Sequence, residues 1–299
     1  MIKIKSLSVG NWDMFYIKHW SDNFTIIDCF ISDENKEEII NELKEEKEWK
    51  SITRFISTHP DNDHIWGLKY LNSKIDILNF YCVKNNAIKE DETDDFNEYC
   101  KLRDDSKKAF YISKWISRKW MNETNDKRWW AWISILWPNL DNEYYLDELD
   151  KVKEWNSPNN ISPIIKYELN DWIKVIWMWD LENEFMEKII DDVELPECNI
   201  LFAPHHWRKS WKVPSKWLEQ LNPDIIIMWE APSDNLDYAS YDNYNKITQN
   251  SAKDIVFVCE NSKTHLYVSN ENYSVDFLSY NADYLDYSEE WHYIWTLYV

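Results

Sequence analysis

Apolar residues recur along this chain with two periods, and the period changes several times. The opening IKIKSLSV alternates strictly, and residues 2–9, 13–19 and 24–30 each predict a short strand with one face inward. DENKEEIINELKEEKE (33–48) switches to the helical period and predicts a charged amphipathic helix, started by Ser32 or Asp33. ITRFIST (52–58) is a strand that delivers His59 at its C-terminal end, IWGLKYLNS continues as a helix, and IDILNFYCV is strand again. Residues 88–108 are so charged that they predict a solvated helix or loop.

The second half repeats the theme. ISPIIKYEL (161–169) and IKVIWMW (173–179) predict paired strands ending at Asp180. LENEFMEKIIDDV predicts a helix, CNILFAP (198–204) a strand ending at His205-His206, and VPSKWLEQL a further helix. DIIIMW, DIVFVC and HLYV predict more strands. Two strand-rich halves with flanking helices predict an α/β fold, an αββα sandwich, with ligands on loops at one edge of the sheets. No short-period repeat or Pro/Gly linker divides the 299 residues, so one domain over 1–299 is expected.

Composition narrows the classes. A hydrophobic fraction of 44% supports a sizeable core, and a net charge of −21 argues against a broad nucleic-acid or anionic-membrane footprint. No apolar run is long enough to span a bilayer, and the N-terminus lacks a signal peptide's apolar stretch. Cys29, Cys82, Cys100, Cys198 and Cys259 are scattered without a CxxC pair, which predicts reduced thiols in a cytoplasmic protein without membrane partners.

The chain holds 2 glycines and 20 tryptophans, where ordinary usage predicts about 20 glycines. Trp12, Trp66, Trp177, Trp179, Trp207 and Trp211 stand at predicted turns and strand ends, where tight backbone calls for glycine. Most of the tryptophans therefore read as glycine codons rendered as tryptophan, as when UGA is decoded under the wrong genetic code.

STHPDNDHIWGLKYL (57–71) carries the chemistry. His59, Asp61, Asp63 and His64 fall within six residues after a strand, a mixed nitrogen and oxygen donor set that suits Zn, Mn or Fe. Asp180 and His205-His206 come after later strands in the same way.

THPDNDHI(W)GL resembles the first ligand motif of the metallo-β-lactamase superfamily, in the variant where the second histidine is aspartate. VGNWDMFYI, VIWMWDLE and APHHWRKSW resemble further motifs of the hydrolase domain of ComEC-type competence proteins, in the right order over about residues 1–275. That resemblance asks for glycine at 12, 66, 179 and 207, while Trp137 before Pro138 is compatible with the family. Phe30 stands where the family usually has glycine.

The resemblance implies two divalent ions, zinc by first expectation and Mn or Fe as alternatives. His59 and Asp61 would bind the first, Asp63 and His64 the second, and Asp180 would bridge them. One of His205 and His206 would complete the second site and the other would contact substrate. The working assignment gives His206 to the metal and His205 to the substrate, an order the sequence leaves open. Lys209 would stabilise developing charge, and Asp63 would also steer the nucleophile, a hydroxide bridging the ions. Asp13 reads as structural, holding the turn beneath the site. No histidine lies between His64 and His205, so Asn160 in SPNNIS is a candidate amide donor to the first ion. His19, His265 and His292 match no ligand motif and read as surface or partly buried histidines.

The implied activity is that of a soluble metal-dependent hydrolase of phosphoesters, phosphodiesterase or nuclease-like, taking a small phosphoester or a nucleic acid. The alternatives are hydrolysis of a C–N or thioester bond, or a degenerate metal- or ligand-binding module on the same fold.

Overall fold

The computed structural model describes residues 1–90, 92–124, 129–169, 173–204, 212–229, 241–260, 262–277 and 291–298. In chain order the strands are β1 (Ile2–Ser6), β2 (Phe15–Lys18), β3 (Asn23–Ile27), β4 (Cys29–Phe30), β5 (Ile52–Ile56), β6 (Asn79–Cys82), β7 (Ala109–Tyr111), β8 (Ile133–Trp137), β9 (Ile164–Leu169), β10 (Ile173–Trp177), β11 (Ile200–Phe202), β12 (Ile225–Met228), β13 (Lys246–Thr248), β14 (Ile255–Glu260), β15 (Lys263–Val268) and β16 (His292–Tyr298). The helices are α1 (Lys36–Glu46), α2 (Asn62–Ile65), α3 (Leu68–Ile75), α4 (Asp94–Asp104), α5 (Glu143–Lys151), α6 (Asn183–Lys188), α7 (Ser215–Leu221) and α8 (Gln249–Ala252).

Two sheets form. One has nine strands in the order β16-β15-β14-β1-β2-β3-β5-β6-β7, the other six in the order β13-β12-β11-β10-β9-β8. Successive strand residues face opposite sides. In β5, Phe55 packs with Leu43, Leu71 and Tyr99 from the helices α1, α3 and α4. Its neighbour Ile56 enters the other cluster with Trp177, Ile200 and Phe202 of the second sheet. Tyr145, Met186 and Leu218 bring α5, α6 and α7 into that same cluster. The architecture is the expected αββα sandwich.

Register gathers the chemistry. Phe15 pairs with Ile27 antiparallel, and Ile27 with Ile56 parallel. The residues just before β2 and just after β3 and β5 therefore share one edge of the first sheet. The β10 strand, parallel to β11, ends at Trp177 and turns into Asp180. Ligand sites beyond the carboxyl ends of parallel strands are the general rule for such sheets.

Several expectations need correction. The cap of α1 is Asn35, without a side-chain cap bond, and the helix starts at Lys36. The 88–108 stretch is less solvated than its charge implies. There α4, capped by the Thr93 hydroxyl on the Phe96 amide, buries Phe96, Tyr99 and Leu102. The helix expected over 181–193 is confined to Asn183–Lys188. His19 and His265 are buried, bonded to Thr25 and Thr296.

The tryptophans sort by backbone. Among the described residues eleven non-glycine positions have positive φ, and six are tryptophans: Trp49, Trp115, Trp120, Trp132, Trp155 and Trp179. A side chain there crowds the following carbonyl, so glycine is the residue of least strain. Trp66 differs. Its φ is −64°, and the left-handed position is the next residue, Gly67, whose Cβ would come within 2.6 Å of the Ile31 carbonyl oxygen. Nor does Trp179 splay outward as the turn would suggest. It is buried beside Trp177, Phe15 and Trp229, because apolar burial outweighs the local strain. Trp207 and Trp211 lie outside the described residues.

Candidate metal centre

Asp28 ends β3 as a buried carboxylate, and it organises both histidines of the 59–64 loop. Its Oδ1 accepts from the Thr58 amide at 2.8 Å and its Oδ2 from the Thr58 hydroxyl at 2.6 Å. The same Oδ2 lies 2.8 Å from His64 Nδ1. A carboxylate there takes the Nδ1 hydrogen, which leaves Nε2 facing the cluster. Burial pushes the Asp28 carboxyl up, against the pull of His64 and Thr58.

His59 is set by hydroxyls. Its Nδ1 lies 3.1 Å from Thr58 Oγ1 and 3.1 Å from Ser162 Oγ. Thr58 has given its hydrogen to Asp28, so it accepts from Nδ1–H and turns His59 Nε2 inward as well. The two imidazole centroids are 4.0 Å apart.

His64 Nε2 lies 3.4 Å from Asp180 Oδ1 and 3.6 Å from Asp13 Oδ2. His59 Nε2 lies 3.8 Å from Asp180 Oδ2 and 3.9 Å from Asp61 Oδ2. Two ligands each about 2.1 Å from a tetrahedral ion stand about 3.4 Å apart. These gaps are long for hydrogen bonds and near the spacing that ligands of a common ion require. Among the described residues two groups have ligand atoms all within 4.8 Å of one another: His59, Asp63 and His64, and Asp13, His64 and Asp180. His64 Nε2 is buried with no hydrogen-bond partner. The residues fit a divalent cation.

Electrostatics agree. Burial alone would lower the His64 pKa, but Asp180, Asp63 and Asp28 together hold it well above the ordinary value. Burial pushes the Asp13 carboxyl well up; His64 opposes this, while Asp180, Asp28 and Asp63 add to it. So much negative charge packed into a buried space is stable when a cation shares it.

Sequence reasoning places His59, Asp63, His64 and Asp180 together, and the structure brings them together. Asp61 stands at the rim, with Oδ1 held by Lys89 Nζ at 2.9 Å. His205, His206 and Lys209 lie outside the described residues. Asn160 is spent elsewhere. Its amide nitrogen faces Glu148 and Glu182, and its oxygen accepts from the Glu182 amide at 3.0 Å, so it braces a turn. Asp13, expected to be structural, faces His64 inside the cluster. Two further residues escape sequence reasoning, each with a faint signal. Asp28 is a lone acid directly after the apolar run FTII, and Ser162 is a hydroxyl before the apolar run of β9.

Residues 16–142 match the family model described as the metallo-beta-lactamase superfamily. That span runs from β2 to the start of α5 and takes in Asp28 and the 59–64 loop. Proteins of this superfamily are largely metal-dependent hydrolases. No curated protein matches the chain.

Proposed function

We propose that the chain is a metal-dependent hydrolase acting on phosphoesters, phosphodiesterase or nuclease-like. The observation that carries this reading is the spacing of buried donors around His64 Nε2, with Asp180 at 3.4 Å and Asp13 at 3.6 Å. A bound divalent ion, zinc or else Mn or Fe, would supply Lewis acidity and lower the pKa of a water that it carries.

The chain's own residues do the rest. Asp28 and Thr58 fix His64, and Thr58 and Ser162 fix His59, so both imidazoles already turn Nε2 toward the cluster, where a bound cation would take the place of the His64 proton. Asp13 comes from the first sheet and Asp180 from the second, so the donor set closes only when the sandwich is assembled. Asp63 is less buried than the histidines and is placed to take a proton from an approaching nucleophile. Beside it, a cavity of about 290 Å³ is lined by Asp61, Asn62, Lys89, Ser157 and Pro158. Lys89 at this rim is paired with Asp61, and Glu90 also lines the cavity, so the rim itself sets no charge preference and the substrate class rests on the assay below. Five free cysteines, four of them buried, suit a reducing compartment such as the cytoplasm.

The test combines metal analysis with hydrolysis of bis-(p-nitrophenyl) phosphate, run beside an amide and a thioester substrate. Bound metal and phosphodiester turnover are expected. His64→Ala and Asp180→Asn should each lower turnover at least about a hundredfold. Stoichiometric metal without turnover on any substrate would make the chain a binding module instead. Turnover confined to the amide or thioester would move the substrate class.

A further inference from the structure

At the amino ends of β5 and β6, away from the metal centre, lies a cavity of about 400 Å³. Arg54, Arg118, Lys119, Tyr81 and Asn79 are among its lining residues. Arg54 shares the inner face of β5 with Ile56 and is 1% exposed. Its guanidinium donates to Thr25 Oγ1 at 3.1 Å, Asn23 Oδ1 at 3.3 Å and the Trp120 carbonyl at 3.0 Å. The charge also lies over the Tyr81 ring, 5.0 Å from its centroid.

None of these partners is an anion. Arg54 Nε is buried without a hydrogen-bond partner. Among the described residues, no carboxylate pairs with Arg54, Arg118 or Lys119. Among the described lining residues the acid is Glu123, which accepts from the Ser117 hydroxyl. His19 adds no second buried cation, because burial, Arg54 and Lys50 hold its pKa well below the ordinary value. A buried cation without a counter-charge is unfavourable unless something compensates for it. In a chain of net charge −21, three cations around one cavity form a local reversal of sign.

We propose that this cavity is a second binding site, for a small phosphorylated ligand whose phosphate meets Arg54 from within and Arg118 and Lys119 from the mouth. The guanidinium fork suits phosphate geometry, and the volume falls in the range of small-ligand pockets. Position 120 gives Arg54 a backbone carbonyl, a contact that tryptophan and glycine both supply. It rests on residues of a different sheet end from the metal centre and is independent of the hydrolase reading.

Inorganic phosphate is the probe, titrated calorimetrically into the intact protein, into Arg118→Ala/Lys119→Ala and into Asp180→Asn. The mouth double variant changes two exposed side chains and should fold normally. Binding is expected in the parent and in Asp180→Asn, and should weaken at least tenfold in the double variant and with added salt. Three results would overturn the proposal: no binding by the parent, equal binding by the double variant, or loss confined to Asp180→Asn. The last would place the phosphate at the metal centre. Arg54→Lys supplies a further check, since it keeps the charge but loses the fork. If Arg54 only braces Trp120 and Thr25, that variant loses thermal stability while the phosphate affinity stays unchanged.

Discussion

Replacing Trp49, Trp115 and Trp155 together by glycine should stabilise the protein, although it removes three large side chains. All three have positive φ, at 67°, 62° and 64°, and all are exposed, at 90%, 79% and 61%. They therefore bury little area to lose. Holding a non-glycine residue in the left-handed region costs about 1–2 kcal/mol. Glycine returns about 0.5–1 kcal/mol of that through its freer unfolded chain. The net gain is about 0.5–1 kcal/mol at each site. Lys114 lies 4.5 Å over the Trp115 ring, and losing that contact takes about 0.5 kcal/mol from one of the three gains. Distant sites add, so the triple variant should gain roughly 1–2.5 kcal/mol. With a urea slope near 3 kcal/mol/M, that moves the midpoint up by about 0.3–0.8 M. Trp20→Gly is the control. Trp20 is 56% exposed, has no positive φ and touches Trp129 edge-on at 5.5 Å, so its loss should be neutral or mildly destabilising. A triple variant no more stable than the parent would refute the strain argument. So would an equal gain from Trp20→Gly.

The same geometry sets other outcomes. Intact-mass measurement of the protein from its native host should fall short of the written sequence by one tryptophan–glycine difference at each recoded position; agreement with 20 tryptophans would end that reading. Asp28→Asn should weaken metal binding about 10–100-fold in a chelator competition, because His64 loses the carboxylate that orients it. Unchanged affinity would mean that packing alone holds the ring. His19, buried and neutral, makes stability depend on pH. Its folded pKa is lowered from 6.5, so its contribution is complete above about pH 6.5 and is lost as pH falls towards the folded value. His19→Gln should flatten that part of the stability–pH curve, and an unaltered slope would assign it to other groups.

How far the site can be read from sequence depends on where each interaction lives. The 59–64 loop is local, since a strand period breaks into six residues holding four donors, and composition alone flags it. Asp180 is legible by the same rule, an acid directly after an apolar strand. Asp28 obeys that rule too, yet a single acid after FTII looks like an ordinary strand end. Its importance comes from His64, 36 residues away and brought near by the parallel pairing of β3 with β5. Asp13 escapes sequence reasoning for a related reason. Whether it supports the turn or faces the cluster depends on the β1–β2 register and on Asp180 arriving from the opposite sheet. Asn160 shows the converse, where a residue type suited to coordination is already consumed by Glu148 and Glu182.

The tryptophans carry the same lesson to the backbone. Periodicity cannot distinguish a tryptophan that fills a core from one that stands in for glycine, because both interrupt the polar pattern alike. Backbone conformation separates them. Trp137 and Trp217 are buried without positive φ, while Trp49, Trp115 and Trp155 have positive φ and no burial to justify it. Trp179 combines both, fully buried at φ 51° with its indole N–H lacking a partner. It directly precedes Asp180, so whatever relaxes position 179 bears on the carboxylate that faces both histidines. Restoring glycine there removes the strain and the buried indole N–H together, but it also opens a cavity among Phe15, Trp177 and Trp229. Cavities of that size cost about 3–5 kcal/mol, more than the strain returns. A lone Trp179→Gly should therefore destabilise the sandwich, and a urea midpoint at or above the parent's would refute the cavity argument.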